Sequence, residues 1–74
     1  LSEAYQPISC ASHERLEFAV LKGQWLQVRV QQGDHVGTHR LLPLDVYALE
    51  GIEWLEAQTE SGEKLKLRLD WFSF

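Results

Sequence analysis

Residues 64–71 read KLKLRLDW, an alternation of apolar and charged side chains with a period of two. Leu65, Leu67 and Leu69 fall on one side, and Lys64, Lys66, Arg68 and Asp70 on the other. That is the pattern of a half-buried strand; wound as a helix, the same residues would scatter the leucines around the axis. QWLQVRVQQ at 24–32 repeats it, with Leu26, Val28 and Val30 opposite Gln27, Arg29 and Gln31. One-sided strands require something apolar to face, so the chain must wrap a sheet around a core or stack two layers. HVGTHRLLPL (35–44) is another strand candidate, with Gly37 at a bulge and Pro43 confining it to an edge or a terminus. GIEWLEAQT (51–59) is a third strand-like segment, and Glu60-Ser61-Gly62-Glu63 then reads as a hairpin turn.

The segment before these strands has a different period. In SHERLEFAVLKG (12–23), Leu16, Ala19 and Val20 form one apolar stripe at helical spacing, and Gly23 is a natural stop. Ser9 and Ser12 are both candidate caps. With the helix starting after Ser12, Glu14 lies in its first turn and Lys22 in its last, as the helix dipole prefers. Alternation across 16–21 keeps a strand open as the other reading. Residues 1–11 read as an extended arm, since Pro7 turns Gln6 away from helical geometry. The expected organisation is an arm (1–11) and a single domain (12–74). The expected fold is mainly β with one N-terminal helix, a small Sm-like curled sheet or barrel. An SH3-like or OB-like barrel is the alternative.

With 74 residues there is room for one domain with a thin core. Seven basic residues stand against eleven acidic ones, for a formal net charge of −4. Nucleic-acid binders neutralise phosphates with many lysines and arginines, so this balance argues against free RNA or DNA as the main ligand. It favours a basic partner. Acidity concentrates in DVYALEGIEWLEAQTESGE (45–63), which holds Asp45, Glu50, Glu53, Glu56, Glu60 and Glu63 and no Lys or Arg. Cross-strand pairing of these acids with Lys64, Lys66 and Arg68 is expected to neutralise part of the charge. Ile52, Trp54 and Leu55 are expected in the core. No apolar run approaches the ~20 residues of a membrane span. The first residues lack the basic start and apolar block of a signal peptide, and one cysteine, Cys10, makes no internal disulfide. The expectation is a cytoplasmic protein.

Two segments carry a more specific signal. Tyr5-Gln6-Pro7-Ile8-Ser9-Cys10 is followed after five residues by Leu16-Glu17-Phe18-Ala19, and Leu67-Arg68-Leu69-Asp70 is followed by Ser73-Phe74. In this order and separation the pair resembles the Rof family, the Rho-binding antiterminators, over roughly residues 5 to 74. The resemblance implies an Sm-like fold with an N-terminal helix and no catalysis. It implies a protein partner, the N-terminal RNA-binding region of the transcription termination factor Rho, where the protein hinders RNA and suppresses termination. Family members often place Asp-Asp directly after the cysteine, where this chain has Ala11-Ser12. The loop before the third strand, basic in some relatives, is here Tyr47-Ala48-Leu49-Glu50-Gly51. Relatives also continue past the Ser-Phe pair into one more strand, so a barrel without its closing strand is expected here.

The residues expected to meet the partner are Tyr5, Gln6 and Pro7 of the arm, Glu14 and Glu17 of the helix, and Glu50 and Glu53 of the acidic stretch. Glu14 and Glu17, three apart, are expected to form an acidic ridge. No cofactor, metal, membrane or direct nucleic-acid contact is expected, and the chain is expected to be monomeric. His35 and His39 have helical zinc spacing, but on a strand they lie more than about 12 Å apart. Trp25, Trp54 and Trp71 read as core rather than as base-stacking platforms, and Cys10 as a buried small apolar group. The competing functional reading is an Sm-like RNA-binding module. An enzyme has no residue pattern in its favour.

Overall fold

The computed structural model describes residues 5 and 7–74. One helix precedes five strands: α1 (Cys10–Lys22), β1 (Leu26–Val30), β2 (Gly37–Leu49), β3 (Ile52–Thr59), β4 (Lys64–Arg68) and β5 (Phe72–Ser73), with a 3₁₀ turn at Leu69–Trp71. The strands form one antiparallel sheet in the order β4-β3-β2-β1-β5.

Helix α1 begins three residues earlier than a Ser12 cap would start it, because Ser9 and not Ser12 is the cap. The Ser9 side chain accepts the Ser12 N–H at 3.2 Å. The described part of the expected arm therefore ends at Ser9, and Glu14 lies outside the first turn, which holds no acid. Gly23 ends the helix at φ 67°, the left-handed position that glycine adopts without a Cβ penalty. Its N–H and that of Gln24 return to the carbonyls of Val20 and Ala19, satisfying the last turn. Leu16 and Ala19 are buried and face the sheet, chiefly β2.

Strand β2 is longer than expected, running through Pro43 and on to Leu49, into the segment 47–51 that reads as loop. The β1 ladder ends at Leu41, so beyond it β2 has a neighbour on one side only and Pro43 sits on a local edge. A register shift between Pro43 and Asp45 marks a bulge, with Leu44 the unpaired residue. The turn to β3 contracts to Glu50-Gly51, both at positive φ (53° and 80°), between the paired Leu49 and Ile52. Two positive-φ residues suit the right-handed twist of a tight hairpin.

The chain passes from one edge of the sheet to the other between Arg68 and Phe72. Four residues reach at most about 14 Å, whereas the edges of a flat five-stranded sheet stand about 19 Å apart. The sheet must therefore curl until its edges approach. Phe72 and Ser73 pair with Val30 and Arg29, so the last residues supply a short edge strand beside β1. Leu16, Val28, Val30, Leu41, Leu55, Leu67 and Leu69 are almost wholly buried inside the curl. Each such side chain contributes on the order of 2 kcal/mol. Leu55 is core as expected, but Trp54, the residue before it, points to the other side and meets Trp71 edge-on at 6.0 Å. Trp71 covers the turn at Gly33 so closely that a Cβ there would lie 2.9 Å from its ring.

Candidate functional site: the seam between the helix and the β2–β3 hairpin

Odd positions of β3 share the strand face of the buried Leu55 and Ala57, which places Glu53 under the helix rather than on the open face. There it accepts the Tyr5 hydroxyl at 2.6 Å, while His13 Nε2 lies 2.9 Å from its other oxygen. The opposite nitrogen of the same ring, Nδ1, lies 3.3 Å from Glu17, one helical turn on. A neutral imidazole donates to one of these carboxylates; a protonated one donates to both. Tyr5, His13, Glu17 and Glu53 thus join the start of the described chain, the helix and β3. The Tyr5 hydrogen bond, helped by His13, holds the Glu53 carboxyl below its ordinary range against the opposing effect of burial. Burial, with the Glu53 carboxylate as acceptor, pushes the Tyr5 phenol well above its own.

Among the residues expected to meet a partner, Tyr5, Glu17 and Glu53 come together here. Pro7 is exposed, Gln6 lies outside the described residues, and Glu14 is exposed on the helix. Glu50 stands at the tip of the β2–β3 hairpin. The expected ridge of Glu14 and Glu17 is therefore resolved into an exposed Glu14 and a Glu17 tied to His13. Nothing in the sequence marked His13, since its partner Glu53 is forty positions away. Only the combination of helix and strand phases could have matched them.

Toward the other end of the helix the same seam opens into a groove of about 290 Å³, lined by Glu17, Val20, Leu21, Asp45 and Val46. Leu21 is 80% exposed and the bulged Leu44 38% exposed.

The remaining acids serve other faces. Glu56 is opposite Lys66 in register, as cross-strand neutralisation requires, but it accepts the Tyr47 hydroxyl at 3.1 Å. The Lys66 ammonium instead lies 4.6 Å from the Trp54 ring centroid and 5.9 Å from that of Tyr47. Arg68 does not join the exposed basic face of β4. It is buried and forms a two-pronged contact with Asp70 at 3.0 and 2.8 Å, beside the rings of Tyr5 and Trp71. The reason is the 3₁₀ turn, which folds Asp70 and Trp71 back over the end of the strand. Glu60 lies 3.6 Å from Arg40 on the surface.

Three further expectations change. Cys10 is exposed, because it opens the helix at the surface. Trp25 precedes β1 and is 36% exposed, with Arg40 over its ring, rather than core. His35 lies in a turn, not on a strand, and its carbonyl accepts His39 Nε2–H at 2.7 Å. Among the described residues no group of three or more His, Cys, Asp or Glu is placed to hold a metal ion, and no helix is long and apolar enough to cross a membrane.

No family model matches the chain, and no curated protein or solved structure matches it either.

Proposed function

We propose that this protein is a non-enzymatic inhibitor of the transcription termination factor Rho, an Sm-like domain that docks on the RNA-binding region of Rho and keeps RNA away from it. The observation that carries the reading is the seam itself. Glu17, from the first segment that resembles the Rof family, and Glu53, from the acidic stretch, meet at His13, and Tyr5 of that same segment donates to Glu53. A helix ahead of a curled five-stranded antiparallel sheet agrees with the Sm-like plan that the resemblance implies. An RNA-binding surface must be basic to attract phosphates, so a protein that competes for it offers carboxylates. Glu14, Glu17 and Asp45 are exposed on the helix and on β2, which packs against it, and they supply such a field.

The alternative is an Sm-like RNA-binding module, favoured by Lys66 over the half-buried Trp54 and Tyr47. A base stacked there would bring its phosphates near Glu56 and Asp45, which are paired across β2 and β3 on that face. Repulsion makes this the weaker reading. Transcription with purified polymerase and Rho separates the two. The protein should abolish Rho-dependent termination at saturation and show no appreciable affinity for short single-stranded RNA. Unchanged termination would sink the proposal, and tight RNA binding would promote the alternative.

A further inference from the structure

The acids of the seam account for attraction but not for the groove beside them. This groove has an apolar lining, Val20 and Leu21 from the helix and Val46 from β2, and two acidic residues, Glu17 and Asp45, complete its lining. None of its lining residues is a lysine or arginine. A leucine exposed as fully as Leu21 contributes little to the fold, and the bulge adds Leu44 to the same strand's exposed apolar surface. Isolated exposed leucines are ordinary; here Leu21 lines a concavity that two acidic residues also line.

We infer that the groove seats one apolar side chain of the partner, flanked there by lysine or arginine. The partner segment is thus basic and amphipathic, its cations meeting Glu17 and Asp45 while its apolar residue enters between Leu21 and Val46. This deepens the Rho-inhibitor reading and rests on it. Desolvated apolar anchors ringed by polar contacts dominate binding energy at protein interfaces, whereas exposed ion pairs mainly steer encounter. The groove then supplies a salt-insensitive part of the affinity and the acids a salt-sensitive part.

The test is the affinity of purified Rho for the parent and for Leu21→Asp, Leu21→Met and Asp45→Lys, at low salt and at about 300 mM, where charges separated by more than a Debye length are screened. Leu21 is exposed, so circular dichroism should show all its variants folded. Leu21→Asp should weaken binding about tenfold or more at both salts, a loss typical of removing an anchor. Leu21→Met should bind like the parent. Asp45→Lys should weaken binding mainly at low salt. A Leu21→Asp variant that binds Rho as tightly as the parent overturns the groove inference while leaving the Rho reading intact. A parent that does not bind Rho overturns both. If gel filtration instead shows a dimer of the parent that Leu21→Asp disperses, a second copy fills the groove and the inference is wrong.

Discussion

Removing the Tyr5 hydroxyl should reveal how the start of the chain is held. In Tyr5→Phe the ring keeps its packing against the core, and only the 2.6 Å contact to Glu53 is lost. A hydrogen bond to a charged group contributes roughly 1.5–3 kcal/mol, and partial exposure at this site favours the lower end. A domain of this size loses about 4–8 °C of Tm per kcal/mol, so Tyr5→Phe should melt roughly 6–12 °C lower. The contact is specific, so Tyr5→Phe and Glu53→Gln should not add. A double-mutant cycle by urea denaturation should give a coupling of about 1–2 kcal/mol near neutral pH. Its pH dependence follows from the carboxyl. The Glu53 pKa is lowered in the folded state, so its contribution is fully present above the unfolded value of 4.5 and is lost as pH falls through the folded value. Tyr5→Phe should therefore cost less at pH below that range than at neutrality. Additive variants, with a cost that does not change with pH, would refute the clamp and leave Tyr5 as packing alone.

Other outcomes follow from single residues. Leu16 is wholly buried between helix and sheet, so Leu16→Ala should cost about 2–5 kcal/mol and leave a fraction of the chains unfolded at 37 °C by circular dichroism. Glu50 occupies a left-handed position in a two-residue hairpin, so Glu50→Gly or Glu50→Asn should raise stability by about 1 kcal/mol in denaturant titrations. Gly33 has φ 92° and the Trp71 ring against it, so Gly33→Ala should destabilise by about 1–3 kcal/mol and shift tryptophan fluorescence.

The strands of period two were legible because each buries a single face: Val28 and Val30, then Leu65 and Leu67, appear where alternation puts them. Strand β2 was only partly legible. Its two halves pair on different sides, so one face rule does not hold along its length, and the bulge at Leu44 shifts the phase midway. Arg68 broke the pattern of its own strand because the following turn brings Asp70 back to it, a contact no periodicity encodes. At the candidate site, Glu17 and Tyr5 were legible through their segments, and Glu53 through its acidic surroundings. The joining of Glu17 and Glu53 by His13, and of Tyr5 to Glu53, was not, because it depends on where the helix lies on the β2–β3 hairpin. The helix start was ambiguous in sequence, since two serines compete and only the cap geometry selects Ser9.

The most direct measurement is a competition on Rho itself: labelled RNA bound to purified Rho is titrated with this protein, and RNA release and complex formation are followed together. Stoichiometric complex formation should accompany release of RNA, and both should weaken when Glu14 and Glu17 are reversed to lysine in a variant shown to be folded. RNA that stays fully bound to Rho while the protein elutes apart from it would contradict the central proposal.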